Sequence, residues 1–284
     1  MEIKGIKKLY IKRINLMNIL DNIIIHKQEE IKQDKKQFPL QFLIDLIKKG
    51  LPPTRNFFTC LNSDSYISII AELKFASPSR GFINKKKNLE KIIKAYANGG
   101  AAAISVLTER NFFQGHPGNI HKVKKITSVP VLRKDFIFDE YQIYQSRCLG
   151  ADAILLIASL LDQSLLSHFQ KIARSLNMDC LVEVHNIDEL YKVLGTESNI
   201  IGINNRSLEN FSIDLSRTGE LSHLIPKDCL LISESGIKNH KDIEELSFYG
   251  IDAVLIGETL MSANNLNKRL KELVGVVKKN GKRK

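Results

Sequence analysis

G-A-D-A-I-L-L-I, residues 150–157, decides the fold. A glycine ends one segment, and the chain turns at once into a short run that is apolar at nearly every position. Like phrases stand at 99–107 (G-G-A-A-A-I-S-V-L) and at 250–257 (G-I-D-A-V-L-I-G). Gly150, Gly250 and one of Gly99 and Gly100 suit the left-handed position just past a helix end, because glycine has no Cβ to clash there. A short strand that is apolar throughout is covered on both faces. That is the habit of parallel sheets whose crossovers are helices.

Outward from these joints, strand-like and helix-like stretches alternate. Strands are expected at 67–74, 102–107, 129–134, 153–157, 180–184, 200–204, 230–233 and 253–256. Helices are expected at 89–98, 119–126, 140–149, 162–177, 187–194, 217–224, 241–249 and 265–277. Eight such units in about 210 residues fit a closed barrel. A doubly wound sheet that holds a dinucleotide would carry a glycine-rich fingerprint after its first strand, and none stands there. The expected fold is therefore α/β, a (β/α)8 TIM barrel with an N-terminal helical extension. Residues 15–49 read as two helical pieces broken near Pro39, the second with Leu40, Leu43, Ile44 and Ile47 on one face, and 55–61 as a short helical piece. The expected division is 1–65 for a basic tail and the extension packed on the barrel, 66–278 for the barrel, and 279–284 for a second basic tail.

With 43% hydrophobic and 26% charged residues, the 284-residue chain has the composition of an ordinary globular protein. Its net charge of +11, from 42 Lys+Arg against 31 Asp+Glu, would suit a nucleic acid or an anionic small molecule. No basic stripe is interleaved with aromatics, there is no Trp, and much of the lysine stands beside glutamate on helix-like stretches, so no nucleic-acid partner is expected. Cys60, Cys148, Cys180 and Cys229 form no C-x-x-C pair and read as reduced thiols. The seven histidines form no zinc-binding spacing, so no metal is expected. No apolar run approaches the roughly 20 residues that span a bilayer, and Asp21 interrupts any secretory leader. The expected setting is the cytoplasm or an organelle stroma, with no membrane partner.

The first strand runs into Y-I-S-I-I-A-E-L-K-F-A-S-P-S-R-G, residues 66–81, where Glu72 and Lys74 share one face. Alone, this reads equally as an edge strand with a solvated pair or as a barrel strand ending in chemistry. In a barrel, chemistry belongs at the carboxyl ends of the strands. There Lys134 shares parity with Leu132, Glu183 with Leu181, Asn204 and Arg206 with Gly202, and Glu234 with Ile232. Two lysines, an arginine and three carboxylates on one rim suit an anionic substrate. Gly236 and Gly257 fall in the last two strand-to-helix loops, where such barrels build a phosphate cradle, although a tight turn explains each singly. His185 reads as structural, and Phe112 and Phe113 as either core or the wall of the mouth.

The motifs I-A-E-L-K-F-A-S-P-S-R-G (70–81), V-L-T-E-R-N-F-F-Q-G (106–115), P-V-L-R-K-D-F-I (130–137), L-V-E-V-H (181–185), I-G-I-N-N-R (201–206), I-S-E-S-G-I (232–237) and L-I-G-E-T-L-M (255–261) belong together. On them the chain, from about Met17 to Gly275, resembles the indole-3-glycerol-phosphate synthases, lyases of tryptophan biosynthesis. Phe75 departs from the family, which more often has a basic residue there. The isomerase and tryptophan synthase α-chain barrels share the phosphate cradle but not A-E-L-K-x-A-S-P-S. The resemblance implies ring closure, with loss of CO₂ and water, of 1-(2-carboxyphenylamino)-1-deoxyribulose 5-phosphate. It implies Lys134 as general acid, dehydration shared between Glu183 and Lys74, and Glu72 and Asn204 holding substrate hydroxyls and the lysine, with Ser235 close by. Arg206 would meet the substrate carboxylate, Phe136 its aromatic ring, and Ser77, Gly236 and Gly257 its phosphate, with Glu234 and Glu258 also touching substrate. No cofactor is implied. The partner would be this small phosphorylated molecule, and the chain a monomer or, as the alternative, a homodimer.

Overall fold

In the computed structural model, residues 19–78, 80–83, 88–207 and 211–279 are described. Ser79, the basic stretch ahead of residue 15 and most of the 279–284 tail lie outside them. Among the described residues three helices come first: α1 (Ile19–Gln37), α2 (Leu40–Lys48) and α3 (Phe57–Leu61). Strand β1 (Ser68–Leu73) leads into a small hairpin of β2 (Ala76–Ser77) and β3 (Gly81–Phe82). After α4 (Leu89–Asn98) follow β4 (Ala103–Leu107), α5 (Gly118–Ile126), β5 (Val131–Lys134), α6 (Glu140–Leu149), β6 (Ala153–Ile157) and α7 (Gln163–Ser175). The second half runs β7 (Asp179–Val184), α8 (Ile187–Leu194), β8 (Ile200–Asn204), α9 (Ser216–Ser222), β9 (Leu230–Glu234), α10 (His240–Ser247), β10 (Ala253–Ile256), α11 (Glu258–Met261) and α12 (Leu266–Lys271). The strands pair in parallel and close in the order β1-β10-β9-β8-β7-β6-β5-β4, a TIM barrel.

The repeated phrase has a physical explanation. Gly100, Gly150 and Gly250 stand at φ 94, 90 and 73, so Gly100 rather than Gly99 takes the left-handed position. Asp152 and Asp252 are buried, and each accepts from a backbone N–H near the start of the neighbouring strand: Val131 at 2.8 Å and Leu231 at 2.7 Å. Each aspartate also holds a lysine, Lys124 on Asp152 and Lys278 on Asp252, both at 2.5 Å. A carboxylate that takes several donors is well satisfied in a buried setting. These residues set register at the amino end of the barrel, away from the chemistry.

Inside the barrel, Ile70, Leu132, Leu181, Ile200, Ile232 and Leu255 form the core, and Phe57 and Leu61 of α3 close its amino end at 0% exposure. The side chains two residues further along these strands are Glu72, Lys134, Glu183, Gly202, Glu234 and Gly257, so the apolar core gives way to a charged layer. Phe75 packs outward into the layer between strands and helices, as its parity predicts.

One expectation is corrected, and two short elements are new. The helix expected at 265–277 stops at Lys271, because Gly275 turns left-handed (φ 84) and the chain then pairs Val277 with Tyr66 under β1. The β2–β3 hairpin and the one-turn helix α11 were not expected. Both are short elements whose residues carry no periodic signal.

The extension is tied to the barrel by a buried ion network. Lys27, 2% exposed, reaches Asp135 at 3.0 Å and Glu30 at 2.9 Å. Asp135 also receives Arg133 at 3.0 Å and the Thr108 hydroxyl at 2.6 Å. Lys27 and Arg133 outweigh the effect of burial and hold the Asp135 carboxyl below the usual carboxylate range. Beside this network, Ile31 and Leu43 pack on Tyr141 of α6.

Candidate active site

The charged layer opens into a cavity of about 1130 Å³, counted to its open mouth. Of the residues expected to touch substrate or act on it, Glu72, Lys74, Ser77, Lys134, Phe136 and Glu183 line it from one side. Asn204, Arg206, Ser235, Gly236, Gly257 and Glu258 line it from the other.

Lys134 is at the centre. Its Nζ lies 2.5 Å from Glu234 Oε2 and 3.3 Å from Glu183 Oε2. Burial disfavours the ammonium, but Glu234, Glu183 and Glu72 outweigh it and raise the lysine's pKa above the ordinary range. Lys134 is therefore a charged amine with a proton to give. The two carboxylates beside it differ. Burial, reinforced by Glu183 and Glu72, pushes Glu234 up to about 7 against the pull of Lys134. Burial acts on Glu183 too, but Lys134, His185 and Asn204 prevail and hold it well below the usual range. Asn204 Nδ2 donates to Glu183 Oε1 at 3.1 Å and fixes the carboxylate plane. Lys134 thus stands between a carboxylate held ionised and one that burial pushes toward its neutral form.

Glu234 is placed differently from the expectation that it binds substrate. Its side chain has 0% exposure and lies beneath Lys134. Its Oε1 packs where a Cβ on Gly202 would stand, so the glycine on β8 makes room for the carboxylate. Gly257 plays the same part for Glu72: a Cβ there would meet the Glu72 carboxylate. Its close approach is thus to the protein's own side chain.

At 235–237 the cavity is lined by backbone. Ser235 and Gly236 both stand at positive φ, 69 and 85. Ser235 is not glycine, and holding it there costs on the order of 1 kcal/mol. Among the described residues, the N–H groups of Ser235, Gly236 and Ile237 have no protein acceptor. Successive free N–H groups of this kind form an anion cradle. Ser77 comes to the same end from the β2–β3 hairpin. Glu258 is bound on both sides, by Arg80 at 2.9 Å and Arg206 at 3.4 Å. As a carboxylate it would repel phosphate, so it positions the two arginines.

Sequence reasoning left the aromatic wall open. Phe113 faces the cavity, 6.1 Å from Phe136 and 5.8 Å from Lys74 Nζ, whereas Phe112 packs on His26 of α1. Leu155 and Ile157 also line the cavity and were missed, since apolar strand ends look like core, and so do Ile213 and Lys238, which stand in loops without a periodic signal. His185 was read as structural, yet it lies 3.3 Å from Glu183. The signal for it was its place two residues after Glu183 at the end of β7. Among the described residues, no group of three His, Cys, Asp or Glu is arranged to hold a metal. No described helix is long and apolar enough to cross a membrane.

Comparison with known proteins gives the same direction. The family model for indole-3-glycerol phosphate synthase matches residues 20–273. Indole-3-glycerol phosphate synthase of Legionella pneumophila (strain Paris) is 47% identical over 257 residues, covering 90% of this chain and 98% of that protein. The one from Alkaliphilus metalliredigens is 48% identical over 255 residues, covering 90% and 97%. Among solved structures, 3-hexulose-6-phosphate synthase from Salmonella typhimurium superposes with a TM-score of 0.60 at 11% identity, over 73% of this chain and 96% of that one. A mutant tryptophan synthase alpha-subunit from Pyrococcus furiosus superposes at 0.56 with 16% identity, over 74% and 99%. Those two likenesses are of fold alone. On the family match and the near-full-length relatives, the chain belongs to the indole-3-glycerol phosphate synthase family.

Proposed function

We propose that this cavity closes the indole ring with Lys134 as the acid, Glu183 as the base and Lys74 as the second acid. The reaction is that of the family: 1-(2-carboxyphenylamino)-1-deoxy-D-ribulose 5-phosphate gives indole-3-glycerol phosphate, CO₂ and water. The chain is a carboxy-lyase of tryptophan biosynthesis acting on a small phosphorylated substrate.

The observation that carries the assignment is the pair of contacts on Lys134, 2.5 Å to Glu234 and 3.3 Å to Glu183. The ring carbon that bears the carboxylate attacks the ketone, and the ketone oxygen gains charge. A clamped ammonium beside it gives that oxygen a proton. CO₂ then leaves, and its bonding pair restores the aromatic ring. In the dehydration, the methylene carbon next to nitrogen loses a proton to Glu183. The hydroxyl leaves as water, protonated by Lys74, whose nearest carboxylate is Glu72 at 3.7 Å. One proton is drawn from solvent over the whole sequence.

Phe113 and Phe136 flank the aromatic ring, Arg206 takes the carboxylate in a forked contact, and Ser77 with the 235–237 backbone takes the phosphate. Asn204 orients Glu183 and, with Glu72, holds substrate hydroxyls. The direct test is to add the carboxyphenylamino-deoxyribulose phosphate and follow the appearance of indole fluorescence; no signal at micromolar enzyme overturns the reading. Arg206→Lys keeps the charge but loses the fork. Its KM is expected to rise roughly tenfold with a smaller change in kcat, and unchanged steady-state constants would remove Arg206 from the carboxylate subsite.

A further inference from the structure

Beyond Lys134 and Asn204, one more side chain touches the proposed base. His185 follows β7 and is 9% exposed at its side chain. Its Nε2 lies 3.3 Å from Glu183 Oε1, and its Nδ1 lies 3.2 Å from Glu189 Oε2. The Nε2 approach is oblique, so that contact is an ion pair rather than a linear hydrogen bond. Glu189 is itself held. It accepts from the His185 backbone N–H at 2.8 Å and from Asn186 Nδ2 at 2.9 Å, while its own N–H donates to Asn186 Oδ1 at the start of α8.

A neutral imidazole has one N–H and would turn a lone pair toward one of the two carboxylates. Only the imidazolium offers a proton to both. We propose that His185 is a positioning residue for Glu183, a cation wedged between Glu183 and Glu189 that keeps the base ionised and its other oxygen turned into the cavity. The proposal rests on the reading of Glu183 as the base. The groups facing Glu183 are Lys134 from β5 and His185, with Glu234 from β9 opposing them. Those facing His185 are Glu183 and Glu189, which outweigh its burial and push it up to about 9.

The test uses the full chain. In the wild-type enzyme, ¹⁵N spectra of the histidine rings are expected to show both nitrogens of His185 protonated at pH 7.5. A neutral ring at that pH overturns the proposal. With one of its two cations gone, Glu183 titrates higher, and the acid limb of kcat/KM in His185→Asn is expected to move up by about one pH unit. Its kcat/KM therefore falls roughly tenfold further at low pH than at pH 8, with KM at pH 8 unchanged. His185→Gln provides a second variant should the first fold poorly, and Glu189→Gln is expected to move the limb the same way by less. Acid limbs that superpose on the wild type in these variants overturn the proposal. Glu183→Gln separates the two readings. If it keeps wild-type turnover, the base reading fails and takes this one with it. If it loses turnover while the His185 variants leave the limb unmoved, the role of His185 alone is overturned.

Discussion

Lys134→Ala is expected to lower the rate of ring closure by about 10³–10⁴, measured in a single turnover, while substrate affinity changes by less than about tenfold. The asymmetry follows from where the amine stands. Lys134 is clamped between Glu183 and Glu234, whereas the groups proposed for phosphate, carboxylate and aromatic ring are other residues lining the same cavity. Removing it deletes a charge needed most when the ketone oxygen becomes an alkoxide, so the loss appears in the chemical step. It also leaves Glu234, Glu183 and Glu72 without the cation between them. Glu234 already sits near neutrality and would take up a proton. A fall in kcat that exogenous amines partly restore would fit a missing proton donor. A near-normal single-turnover rate in Lys134→Ala would remove Lys134 as the acid.

The largest expected loss of stability is at Asp135, next along the chain. Asp135→Ala leaves Lys27 and Arg133 buried, 2% and 1% exposed, without their shared carboxylate. Stranding buried charges in this way costs about 3–5 kcal/mol. In a barrel of this size that lowers Tm by roughly 10 °C. Lys27→Met should cost less, because Asp135 keeps Arg133 and Thr108. The double variant should fall short of the sum of the two. The pH dependence has a definite sign. The folded Asp135 carboxyl is held below its unfolded value of about 3.9, so its contribution is fully present above that value and fades as pH falls through the folded one. Melting curves for wild type and Asp135→Ala should therefore converge in acid. Equal Tm values at pH 7 would show that the network carries no stability.

The barrel was legible because its repeating joints obey local rules. A left-handed glycine and an apolar strand are one-dimensional signals, and Gly150 and Gly250 sit as those rules require. Strand parity was equally reliable: Lys134, Glu183 and Glu234 do continue the interior rows of Leu132, Leu181 and Ile232. What parity could not supply was depth. It put Glu234 on the right face but could not show that the missing side chain of Gly202 lets it sink beneath Lys134. Nor could it foresee Lys27, an ordinary-looking lysine in a polar helix that proves to be buried. Such pairings join residues far apart in sequence, and only closure of the barrel brings them together.

That closure constrains how the chain can be made. Lys27 waits for a partner 108 residues downstream, a delay of about 5–20 s at ordinary rates of synthesis. Strand β1 waits longer, since its partner β10 begins at Ala253, close to the end of the chain. Until β10 emerges, β1 presents an unpaired edge with Ile69 and Ile70 uncovered, which is the setting in which strands stick to other chains. The rim of the cavity is thus closed last, when β10 enters between β9 and β1. Any nascent chain that stops short of β10 is left with a gap in the rim between β9 and β1 and a bare strand edge on each side of it.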